Sequence, residues 1–215
     1  MLKKKSNYKN FKLIEHPLLK RDITILRDKK TSTEMFRAAV TRISNILAVE
    51  ISRNFSLNEI EVHTPLENTR GYKLKQDVVL IPVLRAGLGM VNGFLQIIPN
   101  ARVGHIGLER DEKTLRPKDY YFKTPKNLKS SEVVLIDPML ATGGSAAEAI
   151  NFLKKRGARD FVFACLLAAP EGVQKLLSEH PDVTIYGAAI DRQLNKKGYI
   201  LPGLGDAGDR TFGTL

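Results

Sequence analysis

SEVVLIDPMLATGGS, residues 131–145, changes character abruptly halfway along. An apolar run, Val133 to Ile136, stops at Asp137; a proline, two glycines and the hydroxyls of Thr142 and Ser145 follow, and then a helical pattern from Ala146 to Arg156. A buried strand that delivers a glycine and hydroxyl loop onto a helix N-terminus can hold a phosphate. Free backbone N–H groups, the positive end of the helix dipole and two hydroxyl donors converge there. An ordinary strand-to-helix turn would look the same locally, so the flanking sequence has to decide between them.

Working outward, Val78 to Leu84 has the look of a central parallel strand. It ends at Arg85, and a helical segment, Ala86 to Ile98, follows. Arg102 to Leu108 reads as a strand leading into the charged Glu109 to Lys118, with Tyr120 to Lys123 as the return arm of a hairpin. The connecting ERDEKTLRPKD is polar enough for a mobile flap. Downstream, Phe161 to Ala168 is a strand, Glu171 to Glu179 a helix after Pro170, and Val183 to Ile190 a strand ending at Asp191. The final stretch, Gly198 to Leu215, holds five glycines and one proline and is expected to form no regular helix.

Upstream, residues 1–10 read as a flexible tail, and Phe11 to His16 as a short strand broken by His16-Pro17. Thr31-Ser32-Thr33-Glu34 has the T-x-x-E form of a capping box. The helix after it keeps an apolar face from Phe36 to Phe55, read as core or subunit interface. Glu59 to Leu74 reads as irregular, with two short strands turning near Glu67-Asn68. Strands alternating with helices imply an α/β fold with a mostly parallel central sheet flanked by helices. No internal repeat or linker interrupts it, so a single domain, 11–215, is expected behind the tail.

With 215 residues, 43% of them hydrophobic and 27% charged, this is the composition of an ordinary globular protein. Nothing approaches the roughly 20-residue apolar run of a membrane span, and the lysines of the N-terminus precede no apolar segment of a secretory signal. A single cysteine, Cys165, excludes an internal disulfide and suits a reducing cytoplasm; inside an apolar run it reads as a buried structural thiol. The net charge of +11 suggests nucleic acid, but residues 1–30 hold ten Lys/Arg against three acids, leaving 24 against 20 for the rest. The excess is therefore a basic arm on a nearly balanced body, and a solvated end is preferred to a nucleic-acid site.

Ligands of open parallel sheets gather beyond the C-terminal strand ends, which here carry Arg85, Asp137 and Asp191. A guanidinium at Arg85 would suit a second phosphate group, a structural ion pair being the alternative. Arg110 and Lys113, with Asp111 and Glu112 between them, could close over an anion. Gly203-Leu204-Gly205-Asp206-Ala207-Gly208 is a literal G-x-G-x-x-G, but no helix is expected after it, so it is rejected as a dinucleotide fingerprint. Its glycines would instead let backbone groups approach the edge of a flat ligand. No P-loop, H-E-x-x-H, paired C-x-x-C or G-x-S-x-G occurs. Of the four histidines, His105 is the one expected to be buried.

At these residues the chain resembles the uracil phosphoribosyltransferases. IDPMLATGGS (136–145) is similar to that family's phosphoribosyl diphosphate loop. VLRAGLGM (83–90), ERDEKTLRP (109–117), AAPEG (168–172) and GYILPGLGDAGDRTFGT (198–214) follow in the same order. The resemblance covers about residues 10–215. It implies a type I phosphoribosyltransferase-like fold with a hairpin flap and a glycine-rich C-terminal base-binding hood. It also implies transfer of the phosphoribosyl group of 5-phospho-α-D-ribose 1-diphosphate to uracil, giving UMP and diphosphate in pyrimidine salvage.

By the same resemblance, Asp137, Pro138, Met139, Leu140, Ala141, Thr142, Gly143, Gly144 and Ser145 hold the ribose phosphate. Arg85 and Arg110 contact the diphosphate end, and Asp206 also touches phosphoribosyl diphosphate. Ile200, Gly205, Asp206 and Ala207 hold uracil. Mg2+ arrives chelated by the diphosphate, with no direct protein ligand and no assigned general base. The resemblance further implies a cytoplasmic homodimer or larger homo-oligomer, with GTP as an effector of some members. Two positions depart from the family pattern: Glu109, often aromatic, and Lys196, near which an acid is common. Two competing readings are an RNA-binding regulator using the basic arm and a transferase for xanthine or hypoxanthine. Against the second stand the single acid at 137 and the C-terminal glycine run.

Overall fold

The computed structural model describes residues 8–110 and 117–214. Most of the expected tail, and Asp111, Glu112 and Lys113 of the expected flap, lie outside the described residues, as do the side chains of 108–110 and 117–120. In chain order the elements are β1 (Phe11–Leu13), α1 (Pro17–Arg27), α2 (Thr33–Ser52), β2 (Leu57–His63), β3 (Asn68–Leu74), β4 (Asp77–Leu84) and α3 (Leu88–Ile97). Next come β5 (Arg102–Val103), β6 (His105–Arg110), β7 (Pro117–Lys123), β8 (Ser131–Ile136), β9 (Met139–Leu140) and α4 (Gly144–Lys155). The last are β10 (Asp160–Ala168), α5 (Pro170–Glu179), β11 (Thr184–Ile190), β12 (Gln193–Leu194), β13 (Ile200–Leu201) and α6 (Ala207–Phe212).

The main sheet runs β1-β11-β10-β8-β4-β6-β7, with β5 beside β4 and β9 beside β10. Its pairings are parallel except β6 with β7, which form an antiparallel hairpin. The near-continuous apolar strands are explained by burial on both faces. Side chains alternate across a strand. Val78, Leu80, Val134, Ile136, Ala164 and Leu166 therefore face the layer of α1, α2 and α3. Val79, Ile81, Val133, Leu135, Phe163 and Cys165 face α4 and α5. All the strand C-termini of β4, β8, β10 and β11 consequently open on one edge, where Arg85, Asp137 and Asp191 stand.

Several local expectations are corrected. His16-Pro17 opens a helix rather than ending a strand: proline fits the first helical turn, and the His16 Nδ1 accepts the Leu18 N–H at 3.2 Å. The cap of α2 is Ser32, one residue past the expected Thr31, and it accepts the Met35 N–H at 3.3 Å. The apolar face of α2 (Phe36, Ile43, Leu47, Ile51), expected as core or subunit interface, is core. Segment 57–74 is a regular antiparallel hairpin, β2–β3, paired from Leu57↔Leu74 to His63↔Asn68. The C-terminal run contains a helix, α6, capped by Asp206. The buried histidine is His180; His105 is half-buried.

Asp22 is fully buried in the seam between α1 and α2. Burial alone would raise its pKa. Hydrogen bonds from Arg42 (2.8 Å) and Arg21 (3.1 Å) outweigh that and hold the carboxyl below its usual range.

Candidate active site

The loop after β8 is held by backbone bonds to β10. The Asp137 N–H donates to Ala164 O at 3.1 Å, Pro138 O accepts from Leu166 and Leu167, and the Ala169 N–H donates to Leu140 O at 2.9 Å. The chain then reaches Gly143, the N-cap of α4, at φ +79°, a left-handed conformation that suits glycine. The loop also needs Gly172 on α5, where a Cβ would stand 2.4 Å from Ala141 O. A glycine N-cap has no side chain to occupy the free N–H groups of the first turn, and that turn carries no acid. Thr142 and Ser145 are exposed beside it. The first-turn N–H groups of α4 are thus left without a side-chain cap.

Asp137 stands at the end of β8. Burial pushes its carboxyl up to about 7, opposed only in part by the hydrogen bond it accepts from the Met139 N–H at 3.2 Å. The same burial, with the Asp137 charge nearby, raises the Cys165 thiol well above its ordinary value, so that thiol is structural.

Arg85 follows a cis Leu84–Arg85 peptide at the end of β4. Its Nη2 donates to Asp209 Oδ1 on α6 at 3.0 Å, and its guanidinium lies 6.0 Å from the Phe212 ring centroid. The side chain remains 58% exposed, so it is paired and still accessible. The ion pair, one of the two expected readings of Arg85, is therefore present.

The C-terminal segment 191–214 includes the glycine-rich run expected to form the hood. β12 and β13 form a short antiparallel pair, closed by a turn in which Asn195 Oδ1 accepts the N–H groups of Lys197 (2.9 Å) and Tyr199 (3.0 Å). Asp191 holds the segment from below: Arg27 donates to both its oxygens (2.6 and 2.8 Å), and its Oδ2 also accepts the Gly203 N–H at 2.8 Å. Arg210 donates to the carbonyls of Leu26, Leu204 and Asp28. Glu171 Oε1 accepts the Leu194 N–H at 2.9 Å, tying α5 to the hood. Asp206 Oδ1 caps α6 through the Asp209 N–H at 2.9 Å.

Between loop and hood lies a cavity of about 380 Å³. Asp137, Met139 and Ala141 form one wall, with Ala86 beside them; Ile200, Gly205, Asp206 and Ala207 face them. Thr142 to Ser145 continue directly from Ala141, and a Cβ on Gly198 would stand 3.6 Å from Thr142 Cγ2, so hood and loop meet. Pro138 and Leu140 are buried behind the wall. Arg110 ends β6, opposite Pro117, and its side chain lies outside the described residues. A larger open recess, about 520 Å³, lies on the β2–β3 hairpin and shares no residue with the strand ends. Among the described residues no group of three His, Cys, Asp or Glu is placed to hold a metal; Asp137 and Asp206 both border the cavity.

Sequence reasoning did not nominate Lys197 and Tyr199, which line the mouth, nor Arg27, Glu171 and Asp209, which hold the hood and Arg85. Asp191 was singled out as a strand end, and the structure puts it to work as an anchor.

A family model described as uracil phosphoribosyltransferase matches residues 13–214. A uracil phosphoribosyltransferase of Salinibacter ruber is 54% identical over 205 residues, covering 95% of this chain and 98% of the relative. One of Polaromonas naphthalenivorans is 53% identical over 206 residues, covering 95% and 99%. Among solved structures, the AQ2163 protein of Aquifex aeolicus superposes with a TM-score of 0.89 at 38% identity, covering 94% of this chain and 97% of that one. A hypoxanthine-guanine phosphoribosyltransferase of Bacillus anthracis, at TM-score 0.51 and 14% identity over 74% of this chain and 80% of its own, shares the fold. On the match across nearly its whole length, the chain belongs to the uracil phosphoribosyltransferase family.

Proposed function

We infer that the protein transfers the phosphoribosyl group of 5-phospho-α-D-ribose 1-diphosphate to uracil, giving UMP and diphosphate. The observation that carries this reading is the cavity between the loop residues Asp137, Met139 and Ala141 and the Ile200–Ala207 hood, with Arg85 Nη2 4.0 Å from a Cβ built on the lining residue Gly208. The 5-phosphate sits on the N–H groups at the start of α4 with Thr142 and Ser145. Asp137, as a carboxylate, accepts from the ribose hydroxyls. Arg85 faces the diphosphate, which arrives as its magnesium complex, and Arg110 is the second contact that the family resemblance implies. Metal chelation spreads the leaving group's charge.

As the C1–O bond to diphosphate breaks, positive charge builds on the ribose and negative charge on the departing oxygens. Arg85 stabilises the latter. The uracil nitrogen, held against the hood, bonds to C1 from the opposite face, and its proton passes to solvent. Uracil is distinguished from cytosine by hood backbone groups near Ile200 and Ala207, which match O4 and N3–H and leave cytosine with buried unpaired groups. Diphosphate release, measured with magnesium and each common base in turn, tests the whole reading. Turnover with uracil alone supports it, and equal turnover of cytosine overturns the basis of selectivity.

A homo-oligomer is part of the proposal. Among the described residues the β2–β3 hairpin pairs with no other strand, and it leaves Leu57, Leu66, Tyr72 and Leu74 exposed; isolated hairpins are marginal alone. Light scattering tests it. A cytoplasmic setting accords with the free, buried Cys165, and no helix among the described residues is long and apolar enough to cross a membrane. GTP activation rests on family resemblance and is tested by adding GTP to the same assay.

A further inference from the structure

The two halves of the cavity are joined by one side chain. Asp209 sits on α6, the helix that begins at the base-facing Asp206 and Ala207. Its Oδ1 accepts from Arg85 Nη2 at 3.0 Å and from the Thr214 hydroxyl at 2.6 Å. Its own N–H is held by Asp206 Oδ1 at 2.9 Å. The helix also lies directly on the end of β4: a Cβ on Gly208 would stand 3.7 Å from the Ala86 Cβ and 4.0 Å from Arg85 Nη2. The Thr214 hydroxyl and the Arg85 guanidinium keep the Asp209 carboxyl ionised below its usual range.

We propose that Asp209 is a positioning residue that couples the diphosphate subsite to the uracil subsite, through Arg85 at one end and α6 at the other. This rests on the proposed role of Arg85 and goes beyond it. One Arg85 N–H is committed to Asp209, and the rest of the fork is free for an anion. A diphosphate drawn onto Arg85 therefore also fixes where α6, and with it Asp206 and Ala207, stand. Linkage makes the effect reciprocal: a seated base holds α6, and α6 holds the guanidinium where the leaving group will be.

The test is the affinity for uracil, measured by calorimetry with and without inorganic diphosphate and magnesium, a pair that cannot react. For the unaltered enzyme, diphosphate is expected to tighten uracil binding about fivefold or more, within the usual span of such couplings. Asp209→Asn abolishes that ratio, and so does Arg85→Ala, which removes the other end of the link. Thr214→Val removes the other Asp209 partner and leaves the ratio intact. The inference is overturned if the unaltered enzyme shows no ratio or if Asp209→Asn or Arg85→Ala keeps it. It is also overturned if Thr214→Val loses it equally, since Asp209 would then only brace the C-terminal turn. Failure of the Arg85 assignment itself is separate: it would show as unchanged kcat/KM in Arg85→Ala.

Discussion

Arg27 and Asp191 meet in a two-pronged ion pair, Nη2 to Oδ1 at 2.6 Å and Nη1 to Oδ2 at 2.8 Å, with Asp191 only 5% exposed. The same arginine donates to Gly203 O at 2.9 Å, so the pair pins the hood to α1. Arg27→Ala leaves a buried carboxylate uncompensated and is expected to cost roughly 3–5 kcal/mol. The KM for uracil should rise more than that for phosphoribosyl diphosphate. Denaturation and steady-state kinetics check both; an unmoved uracil KM would detach this pair from the base site.

Gly143→Ala forces a left-handed alanine and brings its Cβ within 2.8 Å of Gly172 O. The conformational strain alone is about 1–2 kcal/mol. Because the strain falls on the N-cap of α4, it should weaken phosphoribosyl diphosphate binding about tenfold, the equivalent of some 1.4 kcal/mol. Uracil affinity of the free enzyme should stay unchanged. Substrate titrations followed by intrinsic tyrosine fluorescence would show the split.

Arg85→Ala should reduce kcat/KM by roughly 2–4 kcal/mol of transition-state stabilisation, as when one oxyanion donor is lost. Comparison of single-turnover rates with saturating substrates would locate the loss in the chemical step.

Asp137 links activity to pH. Its folded-state pKa of about 7 lies above the ordinary 3.8, so between those values the folded protein holds a proton that the unfolded chain has released. Stability from this group is complete below about pH 4 and is lost as pH rises through 7, by an amount on the order of 4 kcal/mol. Asp137→Asn should therefore gain stability at pH 8 relative to pH 5, against the unaltered protein. The ribose-binding role needs the carboxylate, so the KM for phosphoribosyl diphosphate should fall as pH rises past 7, and the asparagine variant should lose that dependence. Urea denaturation at the two pH values is the first check, and parallel curves would count against it.

What was legible in the sequence was local. The β4 and β8 runs and the α4 pattern each carry their cause within about a dozen residues, in apolar continuity and a glycine N-cap. The α1 helix was missed because Pro17 acts as a breaker in one context and a first-turn residue in another, and only the His16 cap decides. The α6 helix was missed because glycine content masked the Asp206 cap and its six residues. Arg27 and Asp209 were invisible as site supports because their partners lie 164 and 124 residues away. The uracil assignment came from motif resemblance, since backbone groups that read a base leave little trace in side-chain identity.

The bonds that seat the hood on α1 also bear on how the molecule comes together. Arg27 to Asp191, Arg27 to Gly203, and Arg210 to the carbonyls of Leu26 and Asp28 all close loops of 164 to 184 residues. The loop proposed to seat the phosphate, by contrast, is held by bonds within residues 131–172. Long closures lose the most chain entropy and form late. On this ground the hood is expected to close onto α1 after the 131–172 segment has packed, so that the surface proposed to select the base is the last part of the fold to be completed.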